Sequence, residues 1–72
     1  MEKVSIYTDY VTLGQFLKIA DIISSGGEAK VFLSENEVVI NGETDNRRGR
    51  KLRNGDKVKV LNKEYLIVNE SK

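Results

Sequence analysis

Seventy-two residues are enough for one small domain, and a chain with no cysteine and no histidine has neither disulfides nor the usual zinc and haem ligands to stabilise it. The formal net charge is only +1, but residues 1–44 carry net −4 (Lys3, Lys18 and Lys30 against seven acids) and residues 45–59 carry net +5 (seven bases against Asp45 and Asp56). A surface that is merely solvated mixes its signs more evenly. With no signal-peptide pattern and no apolar run of membrane-spanning length, the expectation is a soluble, cytoplasmic protein with no membrane partner.

The first β-prone stretch is VSIYT, with Val4 and Ile6 on one face. Thr12-Leu13-Gly14-Gln15 then has capping-box spacing, in which the threonine hydroxyl accepts from the Gln15 backbone and the glutamine side chain reaches back. Leu13, Phe16, Leu17, Ala20 and Ile23 follow at helical spacing, which predicts a first helix from about Leu13 to Ile23. Ser25-Gly26-Gly27-Glu28 repeats the capping signal, with Ser25 as N-cap and Glu28 as its partner. Ala29, Phe32 and Leu33 give a second, short apolar face ending near Ser34, with Asn36 placed for a left-handed residue. Phe16 and Phe32 are expected to form core between the two helices.

From Val38 the period changes to that of strands. Val38-Val39-Ile40 leads into Asn41-Gly42, a tight-turn pair whose role is structural. The stretch NRRGRKLR then packs Arg47, Arg48, Arg50, Lys51 and Arg53 into eight positions. Asn54-Gly55-Asp56 is another turn, and Val58 and Val60 alternate with Lys57 and Lys59. Asn62-Lys63 turns the chain once more before EYLIVNE closes the sheet. The pattern predicts an α+β fold, an αα-hairpin packed on a small, mostly antiparallel β-sheet.

Without histidine or cysteine the common catalytic bases and nucleophiles are missing, and Gly26-Gly27 lacks the spacing and the lysine of a phosphate-cradling loop, so no enzyme is expected and no cofactor or metal. Binding chemistry is better supplied. Arginine forks grip phosphate oxygens bidentately, and neutralising phosphates releases condensed counterions. The arginine-rich turn is therefore the first candidate site: Arg47, Arg48, Arg50, Lys51 and Arg53, with Lys18 and Lys57 flanking. The start of the second helix is the second, with its free N–H groups, Gly26 and Gly27 leaving room for an anion, and Lys30 one turn on. The two glycines equally suit a sharp interhelical turn. The aromatic residues form no base-stacking platform, although Tyr10 is the best candidate for an exposed stacking ring.

The ordered set TLGQFLKIADIISSGGEAKVFLSENEVVINGE followed by RKLRNGDKVKV resembles the RNA-binding domain of small-subunit ribosomal protein S-four, the α-L motif, and is most similar to its small free-standing bacterial members. Leu13 matches the helix-start leucine, Ala29-Lys30 the alanine–basic pair, Val38, Ile40, Asn41 and Gly42 the "V-x-VNG" strand, and Gly55-Asp56 the late turn. Thr12 and Gly26 stand where the family often carries arginine, which shifts the binding emphasis toward NRRGRKLR. The resemblance implies one RNA-binding domain over 1–72, with a leading strand in 1–11, a helix hairpin in 12–35 and strands in 37–70. It also implies association with ribosomal RNA, the ribosome or its precursors.

The functional expectation is a monomeric, non-catalytic protein that recognises structured RNA by shape, through the basic strip beside the start of the second helix. The alternative is a protein-interaction module docking that strip on an acidic partner. DNA recognition by the second helix ranks below both, because Lys30 is its only base and Glu28 and Glu35 lie close by.

Overall fold

In a computed structural model describing residues 1–71, two short helices lie against a sheet of mixed direction. The strands are β1 (Glu2–Ile6), β2 (Val11–Thr12), β3 (Val39–Ile40), β4 (Glu43–Thr44), β5 (Lys51–Leu52), β6 (Lys57–Val60) and β7 (Lys63–Asn69). The helices are α1 (Leu13–Ile19) and α2 (Ala29–Glu35), the latter preceded by a 3-10 turn at Gly26–Glu28. Five strands pair in the order β1-β7-β6-β3-β4, while β2 and β5 form a separate two-stranded ribbon. All pairings are antiparallel except β1 with β7, which runs parallel from Glu2 opposite Tyr65 to Ile6 opposite Asn69. The α+β class and the hairpin-on-sheet layout agree with the pattern of the sequence.

The core collects one face of most elements; β4 is exposed throughout. Val4 and Ile6 from β1, Ile40 from β3, Val58 and Val60 from β6, and Tyr65 and Ile67 from β7 meet Leu13, Phe16, Leu17, Ala29 and Leu33 from the helices. Burying an aliphatic or aromatic side chain of this size stabilises by about 1.5–3 kcal/mol. Among the described residues no polar or charged side chain is buried. Phe16 is fully buried and meets Tyr65 edge-on, ring centroids 5.2 Å apart at 80°. Phe32 is only half-buried but packs against the same core, so both phenylalanines contribute to it, while the aromatic contact of Phe16 comes from the sheet.

Local chemistry explains where the helices begin and end. The capping box at Thr12 forms as expected: Thr12 Oγ1 accepts from the Gln15 N–H (3.2 Å), and Gln15 Oε1 accepts from the Thr12 N–H (2.8 Å). However, α1 stops at Ile19, four residues before the apolar stripe does. Asp21 adopts φ +60°, its N–H donates to the Lys18 carbonyl (3.0 Å), and the Ile22 N–H donates to the Leu17 carbonyl (2.9 Å). That pair of bonds is a Schellman closure. It reverses the chain while Ile23 still reaches the core, so the periodic signal outlasts the helix.

The second capping box does not form. Ser25 makes no side-chain cap bond, and its Oγ reaches only the Glu28 carboxylate at 3.5 Å. The Glu28 N–H instead donates to the Ser25 carbonyl (3.1 Å), closing the tighter 3-10 turn. Asn36 is extended (φ −134°, ψ 138°) and not left-handed. Its backbone N–H and its Nδ2 both donate to the Phe32 carbonyl.

Four further left-handed residues fall in the hairpin turns. Asn41 and Gly42 (φ 51° and 87°) link β3 to β4. Leu61 and Asn62 (φ 52° and 62°) link β6 to β7, one residue earlier than the predicted Asn62-Lys63 turn.

Candidate nucleic-acid interface

The arginine-rich segment is held to the start of α1 through its backbone. A helix leaves its first N–H groups without intrahelical partners. Here the Leu13 N–H donates to the Arg50 carbonyl (2.7 Å) and the Gly14 N–H to the Arg48 carbonyl (2.9 Å). Gly14 is buried at this junction: a Cβ on it would lie 3.3 Å from Arg48 Cγ and 3.5 Å from Ala29 Cβ. The Arg48 stem and the first residue of α2 thus converge on one helical glycine. Beyond that contact Lys30, Arg48 and Asn46 line a shared surface groove with Leu33 and Ser34. The arginine turn and the beginning of α2 are neighbours, brought together by α1.

Asp45 sets the shape of the turn. Its Oδ1 accepts from the Arg47 backbone N–H (2.9 Å), an Asx-type closure, and its Oδ2 accepts from Arg47 Nη2 (2.7 Å). Arg50 Nε lies 3.4 Å from the same oxygen. The Arg47 side-chain hydrogen bond, then its backbone N–H, and the positive charges of Arg47 and Arg50 hold the Asp45 carboxyl at about 2, below its ordinary 3.8, against the opposing cost of its burial. The same hydrogen bond raises the Arg47 pKa.

One carboxylate therefore fixes two of the five cations. Among the described residues Arg48, Lys51 and Arg53 have no carboxylate within salt-bridge distance. Lys51 and Arg53 project from the exposed side of the β2–β5 ribbon. Lys51 Nζ lies 5.0 Å and the Arg53 guanidinium carbon 5.3 Å from the centre of the Tyr10 ring.

The two turn motifs of the strand half are tied to each other. Asn41 Nδ2 donates to Asp56 Oδ1 (3.0 Å), Asn41 Oδ1 accepts from the Lys57 N–H (2.9 Å), and Asp56 Oδ2 accepts from the Arg53 N–H (2.8 Å). The Asn-Gly and Gly-Asp signatures are thus one hydrogen-bonded joint that positions the end of the basic segment.

Other anticipated site residues lie elsewhere. Lys57 alternates with buried Val58, so it projects from the sheet face opposite the helices, together with Lys59. Gly26 is open, with no atom within 4 Å of the place a Cβ would take, and Gly27 lines a separate groove with Glu28, Phe32 and Glu35. Neither glycine shares the Lys30–Arg48 groove. Lys18 lies on the exposed side of α1 and lines a cleft with Tyr10. The Asp45 clamp and the pairing of Tyr10 with two cations are features that the sequence pattern does not announce. The two-residue spacing from Asp45 to Arg47 is the available signal for the first.

Among the described residues no cluster of side chains suited to a metal is present, and no helix is long and apolar enough to cross a membrane. A family model described as S4 domain matches residues 4–68. The probable ribosome maturation protein RlbA of Bacillus subtilis (strain 168) is 65% identical over 57 residues, covering 79% of this chain and 80% of that protein. No solved structure matches the chain at a significant level.

Proposed function

The chain belongs to the S4 domain family, a family of RNA-binding domains, and from that premise we propose that it is a non-catalytic protein that binds structured RNA, ribosomal RNA in particular, during ribosome maturation in the cytoplasm. The observation that carries the reading is the convergence of Arg48 and Ala29 on Gly14, which joins the groove holding Lys30 to the basic segment. Lys30 and Arg48 share a groove, and the basic segment continues along the chain to Lys51 and Arg53, which makes a ridge of four cations with no carboxylate partner among the described residues. Such a ridge suits the phosphates that line the wide, shallow minor groove of an A-form helix. Arg47 and Arg50 contribute mainly through the shape that Asp45 gives the turn, and Lys57 faces away from the ridge. The resemblance to RlbA supports ribosome maturation as the setting.

Filter binding of a structured ribosomal RNA fragment across a salt series tests the assignment. Arg48→Ala with Lys30→Ala should weaken binding and lower the slope of log K against log salt by about 0.7–0.9 for each phosphate contact removed. The same affinity and slope as wild type would overturn it. Co-sedimentation with ribosomal subunits and their precursors tests the cellular setting.

A further inference from the structure

Beside the phosphate ridge an open cleft of about 640 Å³ lies between the loop joining β1 to β2 and the exposed side of α1. Thr8, Asp9, Tyr10, Gln15, Lys18 and Ile19 line it. Two of these offer apolar surface to solvent, Ile19 at 51% exposure and Tyr10 at 38%. The tyrosine is held in place: Thr8 Oγ1 donates to the Tyr10 carbonyl (2.7 Å), and Lys51 and Arg53 both stand over the ring. Neither cation lines the cleft, whereas Tyr10 does. The ring therefore belongs to both features, with positive charge on it and a concave polar–apolar space beside it.

The polar groups of the cleft are suited to a nucleobase. Gln15 uses its Oε1 on the Thr12 N–H, which leaves its amide NH₂ as a donor. Lys18 has no carboxylate partner among the described residues. Asp9 offers acceptors to base N–H groups and repels phosphate, which favours a base edge over the backbone at that point. Two cations placed together on one ring repel each other, and a phosphate beside them relieves that repulsion.

We propose that this cleft receives one unpaired nucleotide of the bound RNA, its base stacked on Tyr10, with flanking phosphates held by Lys51 and Arg53 on one side and Lys18 on the other. The proposal rests on the RNA-binding reading above and adds that the preferred RNA carries a bulged or otherwise extruded base next to a helix. Stacking of a base on an aromatic side chain is sequence-tolerant, so an extruded base of any identity should bind.

The test uses two RNA duplexes of one sequence, one fully paired and one with a single bulged 2-aminopurine. Wild-type protein should bind the bulged duplex about 5- to 150-fold more tightly, the range expected for one stacked base, and should quench the 2-aminopurine emission. Tyr10→Phe should retain both effects. Tyr10→Leu, its fold checked by circular dichroism, should lose the quenching and bind the bulged duplex no more tightly than it binds the paired one, whatever its affinity for the paired duplex. Equal affinity of wild type for both duplexes without quenching would overturn the cleft while the RNA-binding reading stands, whatever the variants do. Preference and quenching retained in Tyr10→Leu would likewise overturn the role of the ring. Binding of neither duplex would overturn the RNA-binding reading, and this proposal with it.

Discussion

Replacing Asp45 by asparagine removes one negative charge at the point where two guanidiniums meet. Asparagine keeps an oxygen for the Arg47 backbone N–H, so the substitution isolates the charge from the turn. The carboxyl is held at about 2 in the folded chain against an ordinary 3.8. At about 1.4 kcal/mol per pKa unit, the ceiling on its contribution is about 2.5 kcal/mol. The Asp45 side chain is 15% exposed but that of Arg47 is 71% exposed, and water around the guanidinium screens the pair, which reduces the contribution to about 1 kcal/mol. Because the folded-state pKa lies below the unfolded one, this stability is fully present above about pH 4 and is lost as the pH falls through about 2. Urea denaturation of both proteins should give a gap of about 1 kcal/mol at pH 7 that closes between pH 4 and pH 2. A gap that persists unchanged at pH 2, or no gap at pH 7, would refute the reasoning.

Leu61 occupies the left-handed region at φ +52° and is 55% exposed. Leu61→Asn should therefore raise stability by about 1 kcal/mol, read as a higher urea midpoint with an unchanged slope. At Gly14 the added methyl of alanine meets the flexible Arg48 stem at 3.3 Å. The gain in helix propensity offsets the squeeze, so Gly14→Ala should fall within about 1 kcal/mol of wild type. The branched side chain of Gly14→Val should cost about 1–3 kcal/mol and weaken RNA binding by lifting the arginine turn off α1. Thermal melts and the salt-series binding assay check both.

Local signals carry much of this fold. The Thr12–Gln15 capping box, the buried alternation of Val58 and Val60, and the Asn41-Gly42 turn depend on residues within four positions of each other, and all form as the spacing predicts. Pattern and structure part where a distant contact outweighs a local preference. Ile23 belongs to the apolar stripe but reaches the core from beyond a Schellman turn, so periodicity does not mark the end of α1. Ser25 and Glu28 have the right spacing for a cap, but the two glycines between them close a 3-10 turn instead. Charge density points to NRRGRKLR, but it counts all cations alike, whereas Asp45 engages Arg47 and Arg50 and leaves Arg48, Lys51 and Arg53 available. The seat of that segment on α1 depends on backbone carbonyls, which every residue has, so side-chain chemistry gives no hint of it.

The parallel pairing of β1 with β7 bears on how the molecule acquires its shape. β7 lies between β1 and β6 and supplies Tyr65 to Phe16, yet among the described residues it is the strand farthest along the chain from its parallel partner. Until it arrives, β1 has no neighbour in the sheet and the ring of Phe16 lacks its aromatic contact. A nascent chain can form the αα-hairpin early but must hold an unfinished apolar face. Closure across nearly the whole sequence raises the contact order, so folding should be slower than for a helical bundle of equal length, and loss of β7 should abolish the fold as a unit.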